Sequence, residues 1–332
     1  MIIHLKENTE QSVAEKIAGE LEAIVLNEDN RIVLITPSAL KKLDEKYSNN
    51  VDEYFVMDTD IQLANIKYKK EKREIKWGKT VIGGTSNNAV VIAGPCSIES
   101  WEQITQTAEM LVSLGIGTLR AGCYKPRTSP YSFQGLGLEG LKMLAKIREK
   151  YRLNIITEVR DSSHVADVIE YADIVQIGAK AMYDHGILKA CAKTQKPILL
   201  KRGFGSTLQE FVQSAEFILS GGNPNVILCE RGIRTFETKT RFTLDLCGAV
   251  YLKYHTNLPI ILDPSHAIGY AYGVPDLSKA CLAMGVDGLL IETHPNPKVA
   301  KSDASQQLDF PTFIKLHSEL KIIASAINQK II

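Results

Sequence analysis

From Ala89 onward the chain repeats one pattern eight times: a short run rich in Val, Ile and Leu, then an amphipathic stretch of about twelve to eighteen residues. The runs are VVIAGP (90–95), TLRAG (118–122), NIITEV (154–159), IVQIG (174–178), PILLKRG (197–203), VILCERG (226–232), PIILDPSH (259–266) and GLLIETHP (288–295). They are apolar throughout rather than alternating, as expected of parallel strands covered on both faces. WEQITQTAEMLVSL (101–114) and TLQEFVQSAEFIL (207–219) show the helical periodicity between them. Eight such units in about 240 residues predict a (β/α)₈ barrel. A doubly wound open sheet competes, but no G-x-G-x-x-G follows the first run, and polar groups recur at the C-terminal end of nearly every run.

The residues before this repeat follow another rhythm. Apolar MIIHL precedes SVAEKIAGELEAIVL (12–26), where Val13, Ile17, Leu21 and Ile24 share a helical face. RIVLITP (31–37) reads as a strand ended by Pro37, Ser38 as the cap of a helix over SALKKLDEKY (38–47), and VDEYFVMD (51–58) as another strand. The order is that of a small α+β, ferredoxin-like unit over residues 1–72. The charged YKKEKREIKWGKT (68–80) reads as a solvated connector or edge strand, so 73–88 leads into a barrel spanning 89–332.

Bulk composition excludes several classes of function. Lys plus Arg number 39 against 38 Asp plus Glu, a formal charge of +1, which argues against a general nucleic-acid binder. No run reaches the eighteen or so apolar residues of a membrane span and no secretory leader begins the chain, so the cytoplasm is expected. Six cysteines without C-x-x-C spacing suit a reducing compartment. Any cationic function must therefore be local.

In a barrel the C-terminal strand ends converge on one mouth. There the runs place Cys96, Arg120, Glu158, Gln176 with Lys180 beyond it, Lys201 and Arg202, Glu230 and Arg231, Asp263 and His266, then Glu292 and His294. Cys96, His266 and Glu292 form a mixed sulfur, nitrogen and oxygen set suited to Mn²⁺, Fe²⁺ or Zn²⁺, with Asp303 or Asp263 available as a fourth ligand. The second run opens into LRAGCYKPRTSPYSFQG (119–135), a loop stiffened by Pro126 and Pro130 and carrying Arg120, Lys125, Arg127 and Thr128. For each rim cation two readings compete. Lys201, Arg202 and Arg231 can pair with Glu158 and Glu230, or they can meet a ligand bearing phosphate and carboxylate groups. So many cations in one pocket favour the ligand.

IAGPCS (92–97), LRAGCYKPRTSPYSFQG, QIGA (176–179), LLKRG (199–203), ILCERGIRTFE (227–237), DPSH (263–266) and IETHP (291–295) closely resemble the 3-deoxy-D-arabino-heptulosonate 7-phosphate (DAHP) synthases. The variety is type I-beta, which can carry a ferredoxin-like N-terminal domain. That resemblance implies condensation of phosphoenolpyruvate with erythrose 4-phosphate, the entry to aromatic amino-acid biosynthesis, by a cytoplasmic homodimer or homotetramer. It also implies a divalent ion (Mn, Fe, Zn or Co) held by Cys96, His266, Glu292 and Asp303. Phosphoenolpyruvate contacts fall on Arg120, Lys125, Lys180, Lys201 and Arg231, and aldose-phosphate contacts on Arg127 and Thr128. Lys125 is the preferred proton donor, with Glu158 or a metal-bound water as competitors, and Cys96 and His266 are the other catalytic positions.

One departure stands out: Lys180 follows QIGA where the family usually has Arg, exchanging a bidentate fork for a point charge. Two rival readings remain. One is a 3-deoxy-D-manno-octulosonate 8-phosphate synthase taking a five-carbon aldose phosphate, and the other a non-catalytic regulatory barrel. By analogy the N-terminal unit is a feedback sensor for Tyr or Phe, or else an oligomerisation or capping module.

Overall fold

The computed structural model describes the whole chain except residues 29 and 126–128. Four strands, β1 (Ile2–Leu5), β2 (Ile24–Glu28), β3 (Arg31–Ile35) and β4 (Val51–Phe55), form an antiparallel sheet in the order β2-β3-β1-β4. Helix α1 (Gln11–Leu21) covers it, burying Ala14, Ile17 and Ala18 against Ile3, Leu5 and Leu34. Strand order and pairing are those expected of a ferredoxin-like unit, but its second helix is absent. Residues 38–47 form turns and a single 3₁₀ turn at Glu45–Tyr47, capped by the Asp44 side chain. The spacing of Leu40, Leu43 and Tyr47 imitates a helical face, yet Leu43 and Tyr47 are buried without one, and Lys41 is drawn to the Met57 carbonyl.

The charged connector also behaves differently from expectation. Strands β5 (Ile75–Trp77) and β6 (Thr80–Ile82) make a hairpin. Its inward Ile75, Trp77 and Ile82 pack on Ile92, Ile156, Ile174, Leu199, Ile227, Ile261 and Leu290, the residues that fill the barrel interior. Lys76 faces water while its neighbours are buried, a period of two that the surrounding charges conceal. The Trp77 indole N–H donates to Thr118 Oγ1 at 3.0 Å, satisfying the polar edge of a buried ring. The hairpin is a plug for the N-terminal mouth, so any ligand must enter from the other end.

All eight apolar runs become parallel strands: β7 (Asn88–Gly94), β8 (Thr118–Arg120), β9 (Asn154–Val159), β10 (Ile174–Ile177), β11 (Ile198–Lys201), β12 (Val226–Glu230), β13 (Ile260–Leu262) and β14 (Gly288–Glu292). Each pairs with its successor, and β14 closes on β7 from Gly288↔Val90 to Glu292↔Gly94. Around them run α2 (Trp101–Ser113), α3 (Leu138–Tyr151), α4 (Val165–Tyr171), α5 (His185–Ala192), α6 (Leu208–Ser220), α7 (Leu246–His255), the short α8 (Pro264–Ile268), α9 (Val274–Ala283) and α10 (Phe310–Ala326). A last short strand, β15 (Lys330–Ile331), pairs with β7. Outward strand residues such as Val91, Leu119, Ile155 and Leu228 pack under the helices, which is why the runs are apolar on both faces.

One half-buried carboxylate joins the N-terminal segment to the barrel. Glu216 of α6 accepts the backbone N–H groups of Gln62, Leu63 and Ala64 at 2.8, 3.2 and 2.8 Å. Asn257 holds the Leu63 carbonyl from the other side at 2.8 Å. Desolvation outweighs those hydrogen bonds, and the Glu216 carboxyl is pushed up to about 7.

Candidate active site at the C-terminal mouth of the barrel

At the end of β7 the backbone of Gly94 has φ of +147°, and a Cβ there would lie 2.2 Å from the Arg120 carbonyl oxygen. Glycine permits this close approach of β7 to β8 and turns Pro95 and Cys96 across the mouth. The Cys96 backbone N–H is fixed by Gln307 Oε1 at 3.0 Å. Its sulfur lies 3.2 Å from Asp303 Oδ2 and 2.8 Å from Lys125 Nζ. Burial, aided by Glu292, pushes the thiol up to about 12 against the pull of Lys125, so it is protonated until a stronger positive charge arrives.

The donor atoms of Cys96, Glu292 and Asp303 all lie within 4.8 Å of one another. His266 approaches from α8, its Nε2 3.4 Å from Glu292 Oε1. Of the two candidate fourth ligands, Asp303 belongs to that cluster, whereas Asp263 Oδ2 sits 2.7 Å from His266 Nδ1 and also pairs with Lys201. A carboxylate on Nδ1 fixes the ring and leaves the Nε2 lone pair for a metal, an arrangement common around ligating histidines. Burial lowers the His266 pKa despite Asp263 and Glu292, which keeps the imidazole neutral. Gln306, which sequence reading passed over, donates its side-chain N–H to Glu292 Oε2 at 2.6 Å, and Gln306 Oε1 in turn accepts from Arg241 Nη1 at 2.7 Å, so the Glu292 carboxylate is held from behind by an oriented amide. A soft thiol, an imidazole and two carboxylates suit a divalent transition ion.

The cations divide by partner. Arg202, 4% exposed, is neutralised by Glu230 at 3.0 Å and Asp245 at 2.8 Å, and is a strut of the wall. Lys201 pairs with Asp263. Arg120 meets Glu292 through Nη1 and lies 3.6 Å from Glu158 through Nη2, with its Nε and Nη2 hydrogens unpartnered. Arg231, also 4% exposed, has no carboxylate within ion-pair distance among the described residues, and its Nε and Nη1 are unpartnered. Glu158 is tied to Gln176 at 2.7 Å rather than to Lys201 or Arg202.

A cavity of about 310 Å³ opens beside these groups, lined by Lys125, Lys180, Lys201, Arg231, His266 and Asp303 together with Arg234, Arg241, Phe204 and Phe242. Lys180 is exposed at its edge. Arg234 and Arg241 are additional cations that the strand-end count missed, because they sit on the long loop after β12; the string ERGIRTFE contained the first of them. Arg127 and Thr128 lie outside the described residues.

The fold and this rim define a class: a (β/α)₈ barrel enzyme that gathers a thiol, an imidazole, carboxylates and a cluster of cations in one mouth. The DAHP synthetase I family model matches residues 62–329, and the chain belongs to that family. It is 44% identical over 270 residues to a phospho-2-dehydro-3-deoxyheptonate aldolase of Thermotoga maritima, covering 81% of this chain and 79% of the relative. A 2-dehydro-3-deoxyphosphooctonate aldolase of Fusobacterium nucleatum is 33% identical over 76% of this chain and 98% of its own. Among solved structures, the T. maritima DAHP synthase superposes with a TM-score of 0.81 at 38% identity, covering all of this chain and 99% of the other. A truncated form of that synthase gives 0.76 at 40% identity over 81% of this chain and 98% of the other. The resemblance read from the rim strings therefore holds, and the chain is an enzyme of the DAHP synthase kind. No helix is long and apolar enough to cross a membrane among the described residues.

Proposed function

We propose that this enzyme condenses phosphoenolpyruvate with erythrose 4-phosphate and water, giving 3-deoxy-D-arabino-heptulosonate 7-phosphate and inorganic phosphate. The observation that carries the reading is the union, on one rim, of the Cys96, Glu292 and Asp303 donor cluster with a buried Arg231 that has no carboxylate partner among the described residues. A divalent ion held by Cys96, His266, Glu292 and Asp303 would supply a Lewis acid for the aldehyde oxygen. The protein's own side chains do the rest. Arg120, Lys125, Lys180, Lys201 and Arg231 neutralise the phosphate and carboxylate of phosphoenolpyruvate, so that a second anion can be held within reacting distance. Its C3 then attacks C1 of the aldose, water adds at C2, and phosphate departs by C–O cleavage. Lys125, whose ammonium is already beside the Cys96 sulfur, donates the proton to the new alkoxide. Arg127 and Thr128 take the distal phosphate and set the accepted sugar length.

Within this reading residues 1–72 are a regulatory unit responding to Tyr or Phe, 73–88 the entry to the barrel and 89–332 the catalytic domain. In support, the N-terminal sheet has its own core, and Gln62, Leu63 and Ala64, which follow it in the chain, are tied to α6 through Glu216. The exposed Val250, Tyr251 and Tyr254 of α7 suit the contact of a homodimer or homotetramer in the cytoplasm. Phosphate release measured with both substrates and with each alone tests the proposal: release should require the pair, and release from phosphoenolpyruvate alone would overturn it.

A further inference from the structure

Arg231 poses a question that its pairing does not answer. A buried guanidinium without a carboxylate should fold back or draw one in, because the charge is costly without a partner. Here it lies over an aromatic ring instead, its central carbon 4.4 Å from the Phe242 ring centroid. Phe242 stacks on Phe204 at 5.4 Å with 27° between the planes, and Arg234 lies 4.9 Å from the Phe204 centroid. A guanidinium on a ring face gains from the ring's charge distribution while its N–H edges stay free.

The backbone fixes this stack. Ile233 and Thr243 exchange hydrogen bonds at 2.9 and 3.0 Å, closing the loop after β12 on itself. Arg234 N–H donates to the Phe204 carbonyl at 2.7 Å and Phe242 N–H to the Ala267 carbonyl at 2.8 Å. Between Arg231 and Ile233, Gly232 has φ of +97°, and a Cβ there would sit 2.7 Å from Phe242 Cβ and 3.0 Å from Ala267 Cα. The glycine lets the loop close tightly enough to bring ring and guanidinium together.

We propose that Phe242, backed by Phe204, is a positioning residue that holds the Arg231 guanidinium as a ready-made seat for the phosphate group of phosphoenolpyruvate. The ring does not touch the reacting atoms. It takes the place that a carboxylate occupies beside Arg202, and so keeps Arg231 charged, oriented and unspent until the substrate anion arrives. This inference rests on the reaction proposed above and adds to it the group that sets substrate affinity.

The test is calorimetric binding of phosphoenolpyruvate to the full-length protein and to Phe242→Leu, Phe242→Tyr and Phe204→Leu, with steady-state turnover of each. Phe242→Leu should weaken phosphoenolpyruvate binding roughly tenfold, the equivalent of about 1.4 kcal/mol, and raise its KM far more than it lowers kcat. Phe242→Tyr, which keeps the ring, should bind as the unmodified protein does, and Phe204→Leu should fall between. Equal binding by Phe242→Leu and the unmodified protein, or a Tyr variant as weak as the Leu variant, would overturn the role of the ring while leaving the reaction intact. Failure of the unmodified protein to bind phosphoenolpyruvate would overturn the reaction and this inference together.

Discussion

Lys125 Nζ lies 2.8 Å from Cys96 Sγ and 2.9 Å from the Cys96 carbonyl oxygen, so the cation proposed for substrate and the thiol proposed for metal touch directly. The donor cluster and the anion pocket are therefore one site. Cys96→Ala and His266→Ala should each reduce bound divalent ion, measured by elemental analysis after dialysis, and abolish turnover. Full activity of chelator-treated Cys96→Ala would contradict the assignment.

The two neighbouring arginines should respond oppositely. Arg202→Met strands Glu230, which is fully buried, and Asp245, and should cost about 3–5 kcal/mol in denaturant unfolding. Arg231→Met abandons no carboxylate and should leave unfolding nearly unchanged, yet kcat/KM for phosphoenolpyruvate should drop by about a hundredfold or more. The reverse pattern would exchange their roles.

Glu216 makes stability depend on pH in an unusual direction. Its carboxyl is raised from an ordinary value of 4.5 to about 7, so its stabilising contribution is present in full below 4.5 and is lost as pH rises through 7. Relative to Glu216→Gln, the unmodified protein should lose on the order of 3 kcal/mol between pH 4.5 and 7, read from urea unfolding. A constant difference across that window would refute the burial argument.

Trp77 anchors the hairpin that seals the barrel floor. Trp77→Ala removes a ring that is 4% exposed and orphans Thr118 Oγ1, and should destabilise by about 3–5 kcal/mol in denaturant unfolding. A loss below about 1 kcal/mol would mean that the hairpin is the solvated connector its charges suggest.

What the sequence revealed and what it hid follow from the range of the interactions. The barrel strands were legible because burial on both faces writes an unbroken apolar run, and most rim residues because they end such a run or follow it within a few residues. The missing helix at 38–47 shows the limit of periodicity: Leu40, Leu43 and Tyr47 have the spacing, but the segment is held by contacts with Met57 and the sheet. The Ile75, Trp77 and Ile82 plug was hidden by the lysines between them and the charged run before them. That Arg202 is spent on Glu230 and Asp245 while Arg231 rests on Phe242 depends on a loop folding back across eleven residues, which no local pattern encodes.

The central claim is the identity of the aldose joined to phosphoenolpyruvate. The most direct measurement offers the full-length protein, loaded with Mn²⁺, phosphoenolpyruvate and equal concentrations of erythrose 4-phosphate and a five-carbon aldose phosphate, and weighs the sugar phosphate formed by mass spectrometry. The seven-carbon 3-deoxyheptulosonate phosphate should be the dominant product. A dominant eight-carbon product, or unchanged phosphoenolpyruvate, would contradict the account.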